Sequence, residues 1–196
     1  MTPTHEIGEV QGSGDVTPLD GQQVTVRGVV VGDLPGMSGF FLQDTDGDGD
    51  TATSDGIFVF SPLEVDLGDT VAVTGEAQEY FEQTQISSQN GAETCADGTA
   101  ADLPAPAALD LPADDAAREQ LEGMLVEPVD TLTVSEVYEL TIYGDLTLSE
   151  DGLLVQPTEL ARPGAQAEAV AAQNELRRIV LDDAVSGRVT RRRRPT

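Results

Sequence analysis

The chain has no lysine and no tryptophan, and only one histidine and one cysteine among its 196 residues. A single thiol, Cys95, cannot form an internal disulfide, and it has no histidine in its own segment to activate it as a nucleophile. One histidine, His5, is too few for a two-histidine hydrolytic site, and no Gly-x-Ser-x-Gly motif accompanies it. A phosphate-binding P-loop requires lysine. We therefore expect no catalytic activity from this chain itself.

Long apolar runs are also absent. No stretch of about 20 apolar residues exists that could form a membrane span. Residues 1–6 lack the basic start and apolar stretch of a secretory signal, so we expect the given sequence to carry no export signal, as a mature or trimmed piece would. Hydrophobic residues make up 39% of the chain, which is enough for one good core or two small ones.

Basic residues are scarce. The chain has 36 acidic and 10 basic residues, a net charge of -26, and every basic residue is arginine. Through Gln120 only Arg27 and Arg118 are basic, so most of this surface would repel a phosphate backbone. We expect direct nucleic-acid binding by the first domain to be disfavoured unless calcium bridges it. Such an acidic surface favours solubility and suits a saline or calcium-rich exterior.

The most informative motif is the acidic loop, residues 44–55, which fits a twelve-position calcium loop with Gly49 at the turn. The expected metal ligands occupy positions one, three, five, seven and twelve: Asp44, Asp46, Asp48, Asp50 and Asp55. These are hard oxygen donors, which favour Ca²⁺, with Mg²⁺ as the other candidate. The alternative is a solvated acidic turn, because Asp and Gly are ordinary turn residues.

The sequences that flank the loop are not those of an EF-hand. Gly39–Gln43 before it and Gly56–Phe60 after it are rich in aromatic and β-branched residues, which predicts strands rather than helices. The acidic loop should therefore be the tip of a β-hairpin.

The first 91 residues contain three further strand patterns, at residues 24–31, residues 70–76 and Thr84–Ser87. About five short strands without a convincing helix predict a small antiparallel barrel. Gly28 and Gly75 lie inside strand patterns, where glycine is typical of a bulge or a sharp bend.

The remainder of the chain divides by composition. Residues 92–117 are rich in Ala, Pro and Asp, which predicts an extended linker. Residues 118–183 predict a second, incomplete β-rich unit whose one helix spans Ala165–Leu176. Within it, residues 144–156 weakly repeat the hairpin with a shortened acidic insertion. Residues 184–196 form an Arg-rich tail, either a nucleic-acid or membrane-binding segment or, as we favour, an artificial or out-of-frame terminus.

A family resemblance covers nearly the whole chain. It rests on residues 10–14, 18–21, 24–30, 39–44, 53–60, 121–124, 143–146, 156–158 and 179–183. These segments resemble the region before the catalytic domain in secreted bacterial nucleases of the endonuclease/exonuclease/phosphatase superfamily, which carry an OB-fold accessory domain on their N-terminal side. The C-terminus departs from the family, because it ends in Arg and Pro where further strands and a nuclease domain would follow.

The resemblance implies that the barrel has the OB fold, and the weak internal repeat predicts a second unit of similar topology. The expected fold is therefore all-β: an OB-like barrel, then a second, incomplete OB-like unit with one short helix. It also implies an extracellular location and a downstream or separate nuclease catalytic domain as partner. OB barrels bind single-stranded nucleic acid through aromatic platforms and basic grooves. Phe58, Phe60 and Arg27 are the candidate contacts, although core packing is the stronger interpretation of the two aromatics.

Three functions remain open from the sequence. The first is a calcium-stabilised, non-catalytic accessory region of an extracellular nuclease, which positions the catalytic domain or its substrate. The second is a calcium-dependent carbohydrate-binding or adhesion β module, in which the loop ion contacts the ligand. The third is a spacer that calcium merely rigidifies.

Overall fold

We analysed a computed structural model, which describes residues 1–184. The chain divides into two compact units. The first consists of Met1–Leu109 and Asp115–Glu127, and the second consists of Asp110–Asp114 and the chain from Pro128 onward. We describe each unit by itself.

The first unit contains most of the strands. In chain order its elements are helix α1 (Ile7–Gln11), strands β1 (Gln23–Leu34), β2 (Gly39–Gln43), β3 (Gly56–Phe60), β4 (Thr70–Glu79), β5 (Thr84–Ser87), β6 (Ala92–Ala96) and β7 (Ala107–Leu109), helix α2 (Asp115–Glu119) and strand β8 (Val126–Pro128). Single 3₁₀ turns occur at Pro35–Met37 and Ala100–Asp102. Among the described residues β7 and β8 pair only with each other, and Pro128, the last residue of β8, belongs to the second unit.

Five of these strands close into a barrel. The order is β1-β2-β3-β5-β4, and β4 pairs back onto β1, while β6 pairs with the first half of β4. Every pairing in the barrel is antiparallel except β3 with β5, which is parallel. The all-β, OB-like fold class is therefore confirmed, with one parallel pair in place of the wholly antiparallel barrel that we expected.

The core is formed by side chains at alternate positions of the barrel strands. Phe40 and Leu42 of β2 face Val59 and Ile57 of β3, and all four side chains are fully buried. The core also takes in side chains from the other barrel strands: Val24, Val26, Val30, Val71, Val73, Ala77 and Ile86. Helix α1 adds Ile7 and Val10, which are 1% and 0% exposed. The barrel interior is thus a packed apolar core, with α1 as part of it.

Gly28 and Gly75 mark close strand approaches. A Cβ atom on Gly28 would lie 2.6 Å from the carbonyl oxygen of Gln43, and one on Gly75 would collide with the backbone of Ser87. The irregularity in β1 lies between Val30 and Gly32 instead. These two glycines therefore allow neighbouring strands to approach closely, while the bulge lies elsewhere.

The unit boundaries differ from those suggested by composition. Ala92–Ala96, which we assigned to a linker, pairs with β4 as an exposed edge strand, and Asp115–Glu127 belongs to the first unit. The Ala- and Asp-rich composition concealed this strand because its residues bury little apolar surface, which is tolerated at a sheet edge. The backbone hydrogen bonds to β4 hold it in place.

The second unit has a small sheet and two helices among its described residues. Strands β9 (Thr133–Glu136), β10 (Leu146–Ser149) and β11 (Arg178–Leu181) pair antiparallel in the order β11-β10-β9, and a 3₁₀ turn spans Glu139–Thr141. Helices α3 (Pro157–Leu160) and α4 (Ala165–Leu176) lie between β10 and β11 in the chain. The predicted bounds of α4 are confirmed.

The weak internal repeat lacks its second strand, because residues 151–156 are not in a strand and β10 pairs with β9 and β11. Of the predicted Arg-rich tail only Ala184 belongs to the described residues. None of the helices within residues 1–184 combines the length and apolar character needed to cross a membrane.

Candidate metal loop and outer face of the barrel

The acidic loop is the tip of a β-hairpin, as we expected. β2 and β3 pair antiparallel up to Gln43 opposite Gly56, and the Asp44 amide then donates to the carbonyl oxygen of Asp55 at 2.9 Å. The two ends of the loop are therefore joined, and its remaining residues project beyond the barrel strands.

Carboxylates within the loop hydrogen-bond its own backbone. Asp44 Oδ1 accepts from the Asp46 amide at 3.0 Å, and Asp48 Oδ1 accepts from the Asp50 amide at 2.7 Å. The Thr53 hydroxyl donates to Asp48 Oδ2, also at 3.0 Å. These are the local bonds that make Asp a good turn residue. The loop conformation is thus supported by the same side chains that we assigned as ligands.

Asp55 immediately precedes β3, just as Asp44 immediately follows β2. Its Oδ1 accepts a hydrogen bond from the Asp48 amide at 3.4 Å, and its carboxylate lies against Gly47, where a Cβ would be 2.8 Å from Oδ2. Burial raises the pKa of Asp55 above its ordinary value, and the negative charges of Asp48 and Asp44 raise it further. Ionised Asp55 is therefore held in an unfavourable place unless a cation compensates it.

Glu6 is a neighbouring carboxylate that the sequence analysis missed. It caps the N-terminus of α1, and a hydrogen bond between its carboxyl group and that of Asp44 raises the pKa of Glu6, with added repulsion from Asp44. Gly8, in the first turn of α1, packs against the carboxylate of Asp48 so closely that a Cβ would collide with it. Only the folded barrel brings this helix to the loop, because 38 residues separate Glu6 from Asp44 in the chain.

The acidic loop has the donor atoms that a hard cation prefers, but its carboxylates are not arranged around a shared centre. Its donors are carboxylate oxygens, and residues 44–55 contain no basic side chain. Within residues 1–184, however, no group of three or more His, Cys, Asp or Glu side chains is arranged to hold a metal ion. Binding would therefore require the carboxylates to move toward a shared centre.

The two candidate stacking aromatics differ in access. Phe58 lies opposite Phe41 on the outer side of the β2–β3 pair, with ring centroids 5.2 Å apart, and it is only 3% exposed. Phe60, two residues on along the same face, is 37% exposed. Phe60 is therefore available to a ligand, whereas Phe58 is covered.

Arg27 is not part of the same surface as Phe60. Phe60 pairs with Gly39, and Gly39 pairs with Leu34 at the end of β1. Arg27 lies seven positions earlier on that strand, a separation of about 23 Å along an extended strand. The three predicted nucleic-acid contacts are thus not brought together.

Phe60 borders an open groove of about 560 Å³ in the first unit. Its lining combines Phe60 and two prolines with hydroxyl, amide and carboxylate side chains, among them Ser38, Ser61, Gln89, Asp33 and Glu64. Such a mixture of an apolar ring with hydrogen-bonding groups suits a polar ligand that has an apolar face.

The residues around His5 are hydrogen-bonded to β1. The amides of Thr4 and His5 both donate to the carbonyl oxygen of Thr25, at 2.8 and 3.3 Å. His5 Nδ1 lies 2.9 Å from the Thr4 hydroxyl. The start of the chain is therefore tied to β1.

Comparisons with known proteins give no family. No family model matches the chain, and no curated protein matches it. Among solved structures, the hypothetical protein ygiW from E. coli is similar at 21% sequence identity and a TM-score of 0.28, over 38% of this chain and 76% of ygiW. A similarity this low carries no argument, so the OB-like assignment rests on the strand pairings themselves.

Proposed function

We propose that this chain is a non-catalytic accessory module whose acidic loop is stiffened by Ca²⁺, or by Mg²⁺ in its place. The supporting observation is the position of the loop: it joins β2 and β3 at the end of a closed OB-like barrel. A cation there would tie together the ends of two barrel strands. The module would then present a rigid surface to a partner that performs chemistry.

Repulsion within the loop supports the cation. Five aspartates lie within residues 44–55, and Glu6 adds a sixth carboxylate through its contact with Asp44. Like charges this close repel one another unless a cation neutralises them. Because the side chains do not converge on one centre, we expect binding to draw them inward and to rigidify the hairpin.

The partner in this proposal is a downstream or separate nuclease catalytic domain, as the family resemblance implies. The resemblance also implies an extracellular location, where millimolar calcium would suffice for a weak site. Direct binding of single-stranded nucleic acid has less support. Phe58 is buried, Arg27 lies far from Phe60, and the net charge is -26. Positioning the catalytic domain is therefore the better-supported role.

A second candidate function is calcium-dependent carbohydrate binding. The groove beside Phe60 favours it, because an exposed ring next to hydroxyl and amide groups can stack on a sugar and bond its hydroxyls. Titration of oligonucleotide and polysaccharide panels, each with calcium and with chelator, separates the two functions. Saturable polysaccharide binding that is lost in Phe60→Ala, with no oligonucleotide effect, would favour this second candidate.

Thermal unfolding with and without calcium tests the cation directly. Binding to the folded state alone stabilises by about 2.7 kcal/mol at a hundred times the dissociation constant. We expect millimolar calcium to raise the melting temperature of the first unit, and Asp46→Ala to remove most of that increase. Asp33→Ala, an exposed aspartate on β1, is the matched control and should retain it. Superimposable wild-type melting curves in chelator and in calcium would rule out the site.

A further inference from the structure

A segment of the chain itself covers part of the outer face of the barrel. We call residues 119–125 the clasp. The Leu125 amide donates to Gln43 Oε1 at 2.9 Å, and the Thr84 amide donates to Glu122 Oε1 at the same distance. The Ser54 hydroxyl donates to the main-chain oxygen of Glu122 at 2.5 Å. The clasp is thus bonded to the ends of β2 and β5 and to the residue that precedes Asp55.

Backbone packing adds to these hydrogen bonds. Gly56, the first residue of β3, lies against Gly123 of the clasp, and a Cβ on Gly56 would be 2.5 Å from the Gly123 carbonyl oxygen. Gly123 has φ of 70°, a conformation that favours glycine. The contact therefore depends on a glycine in each partner.

Three carboxylates meet beneath the clasp: Glu119 and Glu122 from the clasp and Glu79 from β4. Glu119 and Glu122 share a side-chain hydrogen bond, and Glu79 and Asp15 act on Glu119 electrostatically. Glu79 Oε2 accepts from the Thr84 hydroxyl, while Glu79 Oε1 is buried with no hydrogen-bond partner among residues 1–184. This is a costly arrangement for ionised groups, because buried carboxylates need partners.

We propose that the clasp is a pH-released cover of the barrel's outer face, closed while Glu119 and Glu122 share one proton and released when that proton is lost. In OB folds the β2–β3 face is where oligonucleotides and oligosaccharides bind. Release would therefore uncover the end of this face at Gln43 and Gly56. This inference does not depend on the metal proposal.

The pKa of Glu122 sets the pH window. Burial raises the pKa of Glu122 to about 8, and the charge of Glu119 and then of Glu79 adds to the effect, while the Thr84 amide opposes it. The ordinary value is 4.5, so the folded state holds this proton more tightly than the unfolded state. The stabilisation is complete below about pH 4.5 and is lost as the pH rises toward 8.

Hydrogen exchange at single-amide resolution tests the clasp. The probes are the Thr84 and Leu125 amides, both bonded across the clasp contact. Glu122→Gln keeps an acceptor for Thr84 but cannot ionise. At pH 8.5 we expect these amides to exchange at least about tenfold more slowly in Glu122→Gln than in the wild type. At pH 4.5, where the wild-type pair keeps its proton in both states, the two proteins should agree within about twofold. Comparison at one pH cancels the intrinsic exchange rate.

Two further variants complete the experiment. Glu127→Gln removes an exposed carboxylate two residues beyond the clasp and should behave as the wild type. Glu119→Gln removes the charge that repels ionised Glu122. It should slow the exchange of the same amides at pH 8.5, although less than Glu122→Gln does because the buried Glu122 can still ionise, so the test survives if Glu122→Gln does not fold. Two results at pH 8.5 would overturn the proposal. The first is equal exchange in the wild type and in Glu122→Gln, or in Glu119→Gln if Glu122→Gln does not fold. The second is an equally large effect of Glu127→Gln.

Discussion

Gly56 and Gly123 lie backbone against backbone, although 67 residues separate them in the chain. A Cβ on Gly123 would in turn lie 2.8 Å from the amide nitrogen of Ile57. No side chain, however small, fits between these two segments.

Gly56→Ala should therefore destabilise the first unit. The added methyl group meets backbone rather than a flexible side chain, so β3 or the clasp must shift. We expect a loss of about 1–3 kcal/mol, the usual cost of overpacking. Chemical denaturation measures it. Gly14→Ala is the control, because no atom of residues 1–184 lies within 4 Å of a Cβ at Gly14. Equal stability of Gly56→Ala and the wild type would contradict the described contact.

Truncation of Ile7 should show that α1 is part of the barrel core. Ile7 is 1% exposed and packs with the barrel's buried residues. Ile7→Ala should lower the free energy of unfolding by about 2–5 kcal/mol, the range for removing a large core side chain. Val16→Ala, at a residue that is 58% exposed, should change it by less than about 0.5 kcal/mol. If the two variants had the same stability, α1 would not contribute to the core.

The hairpin strands were predictable, and α1 and β6 were not. Gly39–Gln43, Gly56–Phe60 and Thr84–Ser87 carry β-branched or aromatic residues between turn signals, and each is a strand with those bounds. Ile7–Gln11 is only five residues long, so no helical period can be detected in it. Short helices gain their stability from tertiary packing rather than from propensity. For the edge strand β6, backbone pairing compensated for an unfavourable composition.

The candidate site was predictable only where it is local in the chain. The acidic loop forms a single segment, and its place at the hairpin tip is confirmed. Glu6 approaches Asp44, and Glu122 approaches Thr84, only because distant elements pack together. Sequence spacing contains no signal for such long-range pairs. The separation of Arg27 from Phe60 likewise follows from barrel register rather than from composition.

Ser149 should be important for the stability of the second unit. It is 0% exposed, its Oγ lies 2.5 Å from Ser135 Oγ, and it donates to the carbonyl oxygen of Gly152 at 2.7 Å. Ser149→Ala would leave buried polar groups without a partner, at a cost of about 1–3 kcal/mol. Thr131→Ala, an exposed control in the same unit, should be neutral. Denaturation monitored on the second unit distinguishes them, and equal midpoints would refute a structural role for this hydroxyl.

Asp55→Asn should raise the melting temperature without calcium and lower it with calcium. Its raised pKa means that the proton is bound more tightly in the folded state, so stability falls as the pH rises from about 4 through that pKa. Asp55→Asn removes this loss while keeping an acceptor for the Asp48 amide. In chelator at pH 7.5 the melting temperature should therefore rise, by about 2 °C. In millimolar calcium the variant should instead melt below the wild type, because a ligand is missing.

Asp33→Asn controls for the loss of one negative charge and should shift both melting curves equally. The reversal of sign is the informative result, because a purely solvated turn would gain stability from Asp55→Asn in both buffers. A gain of the same size in chelator and in calcium would show that Asp55 does not contact a cation. A lower melting temperature of Asp55→Asn in both buffers would show instead that the Asp48 amide requires an ionised acceptor, because this amide donates its hydrogen bond to Asp55 Oδ1.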